Sequence, residues 1–323
     1  MKEDRPTLWG IVLAGGEGER LREFVQEHLG TDAPKQFCAF WGRRTMLEHT
    51  MRRASLVIPS ERLVVVGTVH HSPYVLRNLT DWPCARSVFQ PTNRGTGPGI
   101  LLPLVHILRQ DPRALVVILP SDHCVLPGRR FMRAVSEAAD FLTETNTDAH
   151  VLLAVDPADP EPDYGWIEPG SAAMRDGRWA VQRINRFIEK PSCEQARKLT
   201  ARGWLWNTMV LVARAKSLFR LIREVEPEMA AYFAMIQDAI GTHWEQEVVN
   251  DVYRMMPSVN FSSAILAKRP EQLLTLPVCS VWWSDWGRAE RIHETLARFG
   301  ASLPATVHAN AHVEATSRTA IAL

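Results

Sequence analysis

Short apolar runs alternate with longer amphipathic stretches along the first half of the chain. The runs are apolar at nearly every position, which is typical of strands buried on both faces of a parallel sheet. The stretches between them have the spacing of helices, and strands that alternate with helices indicate βαβ units. The predicted strands cover residues 8–13, 63–67, 88–90, 114–119 and 151–155.

The pattern changes after residue 155. The predicted elements are then a proline-rich acidic segment at 156–163, antiparallel strands at 164–168 and 181–191, a strand at 204–212, helices within 216–256, a strand near 281–287 and a helix to about 299. We therefore predict an α/β protein with a Rossmann-like, mostly parallel sheet flanked by helices. Residues 1–260 are its main domain, and residues 261–323 are a small C-terminal region with a loosely attached tail.

Composition narrows the class of protein. The 323 residues are 46% apolar, and the net charge of +1 argues against a nucleic-acid partner, which usually requires a basic stripe. No apolar run is long enough to span a bilayer. The five cysteines include no CxxC pair, so neither a disulfide framework nor a cysteine-rich zinc site is indicated. We expect a cytoplasmic protein that binds small molecules and contacts neither membranes nor nucleic acid.

A glycine-rich loop follows the first predicted strand. Gly15, Gly16 and Gly18 occupy three of four positions, which lets backbone amides close around a bulky anion. The helix predicted next would point its N-terminus at the same place, and Arg20 is positioned to grip a phosphate. The loop is predicted to bind the phosphates of a nucleotide.

Several common motifs are missing from the sequence. There is no GxxxxGK[ST] segment, so a Walker-type kinase or ATPase is not indicated. Leu21 stands where GxGxxG requires its third glycine, which argues against a dinucleotide site. HExxH, GxSxG and DxD patterns are also missing, so the sequence offers no standard hydrolase or zinc-protease signature.

Two aspartates are candidate metal ligands. Asp122 and Asp285 each follow an apolar strand, and oxygen ligands at a sheet edge suit Mg²⁺, which uses one or two carboxylates together with substrate phosphates. Each aspartate taken alone is explained equally simply as a turn residue or a helix cap. The adjacent His123 fits a packed loop histidine better than a ligand.

Lys35 and Lys190 are candidate phosphate-binding cations. Both lie beside prolines in apolar segments, although a solvated surface charge explains either one taken alone. Five tryptophans are candidates for stacking on a base or a sugar, although such aromatics more often pack in cores or interfaces. They are Trp204, Trp206, Trp282, Trp283 and Trp286.

Eight motifs in one order resemble those of the sugar-1-phosphate nucleotidyltransferases, with the mannose-1-phosphate guanylyltransferases as the nearest branch. The resemblance extends over roughly residues 8–285. The motifs are GGEGERL at 15–21, PKQF at 34–37, QPTNRGT at 90–96, LPSDH at 119–123, YGWI at 164–167, FIEKP at 187–191, LWN at 205–207 and WSD at 283–285.

This resemblance implies a GT-A-type fold and a role for each matched residue. It implies that Arg20 and Lys35 are catalytic and that Asp122 and Asp285 hold Mg²⁺. The sugar-phosphate ligands that it implies are Gly165, Glu189, Lys190 and Asn207. The nucleotide ligands that it implies are Leu13, Ala14, Gly15, Gly16, Gly18, Gln90, Asn93, Gly95 and Thr96.

The implied reaction transfers a nucleotidyl group from an NTP, expected to be GTP, to a sugar 1-phosphate, expected to be mannose 1-phosphate. Pyrophosphate is released. The attacking phosphate oxygen is already an anion, so no strong general base is needed, and positioning and charge neutralisation carry the catalysis. The resemblance also suggests a homodimer.

Some positions depart from the family pattern. The usual GTAPAI reads GTGPGI at 95–100, Thr208-Met209 replaces the usual Ser-Gly, and Trp286-Gly287-Arg288 stands in a segment that is usually VGSW. These changes cluster around the expected sugar pocket. They leave open another sugar, such as a heptose or glucose 1-phosphate, another base, or a regulatory nucleotide-sugar-binding homologue that has lost turnover.

Overall fold

Eleven strands are found in residues 5–174 and 177–304, which are the residues that the computed structural model describes. They are β1 Leu8–Leu13, β2 Leu63–Thr68, β3 Arg86–Gln90, β4 Leu115–Pro120, β5 Cys124–Leu126, β6 His150–Val155, β7 Gly165–Ala172, β8 Gln182–Glu189, β9 Leu205–Arg214, β10 Leu273–Pro277 and β11 Trp282–Ser284. Nine form one sheet in the order β3-β2-β1-β4-β9-β6-β10-β8-β7, and β5 pairs with β11. The predicted tail beyond residue 304 lies outside the described residues.

Helices cover both faces of this sheet. They are α1 Arg22–Leu29, α2 Met46–Ala54, α3 Ser72–Asn78, α4 Thr96–Gln110, α5 Gly128–Glu144, α6 Cys193–Ala201, α7 Ala215–Val225, α8 Pro227–Ala239, α9 Glu245–Met255, α10 Phe261–Ala264 and α11 Ala289–Arg298. None of the helices in the described part of the chain is long and apolar enough to cross a membrane.

Alternating side chains on the central strands divide the core into two layers, because successive residues of a strand face opposite sides of the sheet. Val12 and Val117 belong to the layer that contains α2 and α5. Their neighbours Ile11 and Val116 belong to the layer that contains α4, α7 and α8. Burial on both faces explains why these strands are apolar at every position.

The predicted α/β class is confirmed, with a mixed sheet in place of a mostly parallel one. β3, β2, β1 and β4 run parallel, as the βαβ pattern requires. β9 then inserts antiparallel between β4 and β6, and β7 and β8 are also antiparallel. An antiparallel neighbour needs no crossover helix, so short connections suffice after β6.

Two strands that the apolar pattern did not predict position the end of the chain. β10 lies between β6 and β8, so part of the predicted C-terminal region joins the nine-stranded sheet. β5 pairs with β11 in antiparallel register, with Ser284 opposite Cys124. Asp285 follows this pair and Asp122 precedes it by two residues. The short ladder therefore brings two aspartates distant in sequence to the same place.

Candidate active site

The glycine-rich loop after β1 is fixed by its contact with the segment at 34–37. Gly18 has a φ of 68°, and a Cβ atom at this position would lie 3.0 Å from the backbone nitrogen of Lys35. The buried side chain of Gln36 donates to the carbonyl oxygens of Ala14 and Gly16 at 3.0 and 2.8 Å. Sequence reasoning quoted the motif but did not assign Gln36 to the site. It holds the loop in shape.

A second glycine-rich loop, after β3, is fixed in a similar way. Gly95 has a φ of 85°, and a Cβ atom there would lie 2.6 Å from the carbonyl oxygen of Val259. The amide of Asn93 joins the two loops, because its Nδ2 donates to the carbonyl of Gly15 at 3.3 Å while its Oδ1 accepts from the backbone of Gly95 at 2.9 Å. Only glycine fits at 95 without displacing the backbone.

A cavity of about 340 Å³ lies between these two loops. It is lined by seven of the nine predicted nucleotide ligands, namely Leu13, Gly15, Gly16, Gln90, Asn93, Gly95 and Thr96. Ala14 is buried behind the lining, and Gly18 lines an adjoining cavity together with Arg20, Lys35 and Asp122. Met209 and Asn260, which were not predicted, also line the first cavity.

Lys35 connects the two predicted metal ligands. Its Nζ lies 2.9 Å from Oδ2 of Asp122 and donates to the carbonyl oxygens of Asp285 and Trp286 at 2.5 and 3.2 Å. The lysine side chain is only 7% exposed, so it is a fixed cation and not a solvated one. An ammonium group has three N–H donors, and these three oxygens use all of them.

Asp285 is held by several donors at once. Its Oδ1 accepts from Nη1 of Arg291 at 2.6 Å, from the hydroxyl of Tyr164 at 3.1 Å and from the backbone of Gly287 at 2.8 Å. Burial alone would raise the pKa of Asp285, but the charges of Lys35 and Arg291 outweigh it and lower the pKa to about 2. Asp285 is therefore ionised at neutral pH.

Asp122 is more accessible than Asp285. Its side chain is 37% exposed, and although burial works in the opposite direction, Lys35 and His123 lower the pKa of its carboxyl group. No described residue donates a hydrogen bond to Oδ1 of Asp122 or to Oδ2 of Asp285, and the nearest basic groups, Nε2 of His123 and Nη2 of Arg20, lie 3.7 and 4.0 Å away. Each carboxylate thus keeps one oxygen for a ligand, which fits Mg²⁺.

A buried arginine, Arg291, binds Asp285 and belongs to an arginine cluster that was missed by sequence reasoning. Nη2 of Arg291 lies 2.6 Å from Glu161 and 3.1 Å from Asp163, both in the acidic segment before β7. Arg288 contacts the same two carboxylates at 2.7 and 2.8 Å. The predicted site residue Arg20 is 61% exposed and lies 4.0 Å from Asp163 and from Asp285. The departure noted at Arg288 was the available signal for this cluster.

Three of the four predicted sugar-phosphate ligands lie together at the ends of neighbouring strands. A Cβ atom on Gly165 would lie 2.8 Å from Oε2 of Glu189 and 3.3 Å from Cβ of Asn207. Burial raises the pKa of Glu189, and the charge of Lys190 opposes this. Lys190 follows β8 with an exposed side chain and a φ of 50°, and its backbone donates to the carbonyl of Tyr164 at 3.1 Å.

The departures from the family pattern have structural consequences on this side. Met209 has a φ of 63°, so the residue that replaces the usual glycine keeps a glycine-like backbone. Trp206 and Trp283 both pack edge-to-face against Tyr164. Their indole nitrogens are buried and have no hydrogen-bond partner among the described residues. The indole of Trp286 instead donates to Thr295, as expected for packing.

The match to a family of known proteins agrees with this geometry. The family model described as nucleotidyl transferase matches residues 9–300. The chain belongs to this nucleotidyl transferase family. The membership expected from the eight motifs is thereby confirmed.

The chain is also similar in sequence to individual curated proteins. The chain is 28% identical over 288 residues to the xanthan biosynthesis protein XanB of Xanthomonas campestris pv. campestris (strain B100) and 26% identical over 297 residues to mannose-1-phosphate guanylyltransferase of Escherichia coli. These alignments cover 86% and 91% of this chain but 57% and 61% of the relatives. The chain therefore spans about three-fifths of the length of these curated relatives.

A solved structure supports the fold over most of the chain. The crystal structure described as mannose-1-phosphate geranyltransferase from Thermus thermophilus superposes with a TM-score of 0.75 at 25% identity. The superposition covers 89% of this chain and 79% of that one. The predicted α/β nucleotidyltransferase fold is thus shared with a relative of known structure.

Proposed function

We propose that this nucleotidyl transferase family member transfers a nucleotidyl group from an NTP to a sugar 1-phosphate, with GTP and mannose 1-phosphate as the preferred pair. The observation that supports this most strongly is the position of Asp122 and Asp285. Asp122 lines the glycine-loop cavity, and Lys35 binds both Asp122 and the carbonyl oxygen of Asp285. Asp285 in turn accepts a hydrogen bond from Tyr164, the residue before Gly165. A relative described as mannose-1-phosphate guanylyltransferase favours this substrate pair.

The proposed reaction needs no proton transfer at the attacking atom. A phosphate oxygen of the sugar 1-phosphate bonds to the α-phosphorus of the NTP, and the bond from this phosphorus to the oxygen bridging to the β-phosphate breaks, which releases pyrophosphate. The activation free energy arises mainly from bringing two anions together, so fixed positive charge beside the phosphates lowers it. The loop of Gly15 and Gly16, with Arg20, holds the triphosphate, and Lys190 holds the sugar phosphate.

Asp122 and Asp285 would hold Mg²⁺, each through the oxygen that accepts no hydrogen bond. When bound, Mg²⁺ supplies positive charge to the phosphates of both substrates. We assign Lys35 a positioning role, because its three donors already bind oxygens of the protein. This differs from the catalytic role that the resemblance implies for Lys35.

A matrix of NTPs against sugar 1-phosphates, read out by pyrophosphate release with Mg²⁺ present, tests the proposal. GTP with mannose 1-phosphate should give the highest kcat/KM. A higher value with glucose 1-phosphate, a heptose 1-phosphate or another base would keep the reaction and correct the substrates. If the protein binds nucleotide and releases no pyrophosphate with any pair, it is a binding homologue and the proposed reaction is wrong.

A further inference from the structure

Three side chains outside the residues discussed so far meet beside the glycine-rich loop. Glu17 lies within this loop, between Gly16 and Gly18, while His70 and His71 lie in the single turn of 3₁₀-helix directly after β2. β1 and β2 are parallel neighbours, so the segments that follow them emerge at the same edge of the sheet. The fold thus places a carboxylate opposite two imidazoles.

The two distances from the Glu17 carboxylate to the imidazoles are close to those of a tetrahedral metal site. One ligand atom from each of the three side chains lies within 4.8 Å of the other two. Oε2 of Glu17 is 3.1 Å from Nε2 of His70 and 3.5 Å from Nε2 of His71. Zinc binds such atoms at about 2.0–2.1 Å, which places tetrahedral ligands about 3.3 Å apart. Both measured separations are close to this value.

The surroundings of His71 orient it as a ligand. Its Nδ1 lies 2.9 Å from Oγ1 of the buried Thr68, and this hydrogen bond leaves Nε2 to face Glu17. Such a partner on the second ring nitrogen is typical of metal-binding histidines. Burial and the neighbouring His70 lower the pKa of His71, which favours the neutral form that binds metals. His70 is 58% exposed, so an ion can enter from solvent.

We propose that Glu17, His70 and His71 bind one divalent transition-metal ion of the zinc type, which ties the glycine-rich loop to the end of β2. Two imidazoles and one carboxylate suit Zn²⁺ or Co²⁺ and not Mg²⁺, which prefers oxygen ligands. Three protein ligands leave a fourth position for water. This site is distinct from the pair Asp122 and Asp285 and does not depend on the proposed reaction.

Titration of the full chain with Co²⁺, followed by visible d–d absorption, tests this site directly. We expect one tight equivalent with the spectrum of a four-coordinate ion and without a thiolate charge-transfer band, which excludes the exposed Cys84, Cys193 and Cys279 as ligands. Asp122→Asn should bind Co²⁺ as the wild type does, because it alters only the proposed Mg²⁺ site. His70→Ala should lose the tight equivalent.

Two further variants separate a metal site from a simple ion pair. Thr68→Val removes the hydroxyl that lies 2.9 Å from Nδ1 of His71 and 3.4 Å from Nε2 of His70, and should weaken Co²⁺ binding about 10- to 100-fold. His106→Ala is the matched control, because His106 faces a single carboxylate, Glu245, at 3.8 Å, and it should change nothing. If the wild type binds Co²⁺ no more tightly than His70→Ala does, Glu17 and His70 are only an ion pair and the proposal is wrong.

Discussion

The two glycine-rich loops and the residues beside the predicted sugar-phosphate ligands are built differently. In the loops, the residues with positive φ are Gly18 and Gly95, and each lies where a Cβ atom would meet backbone. Beside the sugar-phosphate ligands, Lys190 and Met209 have positive φ with full side chains, and Met209 also lines the nucleotide cavity. A non-glycine residue in this conformation costs about 1–2 kcal/mol. The glycine-rich loops therefore have a relaxed backbone, whereas the segments beside the sugar-phosphate ligands retain strain together with their side chains.

The two aspartates differ in how many groups of the protein bind them and in how far they are exposed. Asp122 pairs with one cation and is 37% exposed, while Asp285 accepts three hydrogen bonds and is 16% exposed. We therefore expect Asp122 to matter mainly for turnover and Asp285 to matter for stability as well. Substitution of a strained residue or of a buried charged residue tests the two halves of the site most directly, because its neighbours cannot replace the lost interaction.

Removal of Arg291 should have the largest effect on stability. Arg291→Met leaves Asp285, Glu161 and Asp163 without their buried cation, and loss of one partner from such a network costs about 3–5 kcal/mol. Urea unfolding measures the change. Arg288→Met is the matched control, because Arg288 contacts two of the same carboxylates but is 47% exposed, and it should cost no more than about 1 kcal/mol. Equal losses would contradict the assignment of a buried network.

Removal of the Asp122 carboxylate should lower turnover with little change in folding. Asp122→Asn should reduce kcat about 100-fold or more, the range seen when one electrostatic stabiliser is lost. Pyrophosphate release under saturating substrates measures this. Asp111→Asn is the control, because Asp111 lies before β4 while Asp122 lies after it, and its partners are Thr7 and Trp9. A near-normal rate for Asp122→Asn would exclude it as a metal ligand.

Acid should weaken the folded state through Asp285. Its pKa is about 2 in the folded protein and about 3.9 in an unfolded chain, so ionisation favours folding. This contribution, about 2–3 kcal/mol, is complete above about pH 5 and is lost progressively as pH falls through about 2. Urea unfolding of the wild type and Asp285→Asn across this range should show the two stabilities converging at low pH. A constant difference would contradict the lowered pKa.

Relief of backbone strain at Met209 should have the smallest effect on stability and a selective effect on substrate. Met209→Gly restores the usual glycine, and the gain of about 1 kcal/mol in conformational energy is offset in part by the lost side-chain packing. The ratio of kcat/KM between mannose and glucose 1-phosphate should change more than the KM for NTP.

Ser280→Gly provides the control for Met209→Gly. Ser280 also has a positive φ, of 57°, but it is exposed in the turn before β11. Its replacement should give a similar backbone gain with no change in sugar selectivity. If both variants leave selectivity unchanged, Met209 does not contact the sugar.

Local sequence determined the elements whose causes are local. The strand at 8–13 ends before its glycines as predicted, and Thr45 begins α2 through a capping box with Glu48, whose Thr-x-x-Glu pattern is local in sequence. The glycine-rich loops were predictable because a positive φ or a close backbone approach leaves few alternatives to glycine. The resemblance of eight motifs then identified the family.

Tertiary structure alone decided how distant segments meet. No local pattern indicated that β5 and β11 would pair and bring Asp285 to Asp122, nor that Lys35 would direct its three donors to oxygens of the protein. In sequence, Arg291 is an ordinary residue of a predicted helix, and only the folded structure shows that the acidic segment packs against it. The reason is physical: periodicity and turn chemistry act over a few residues, whereas ion pairs and ladders depend on which surfaces the folded core presses together.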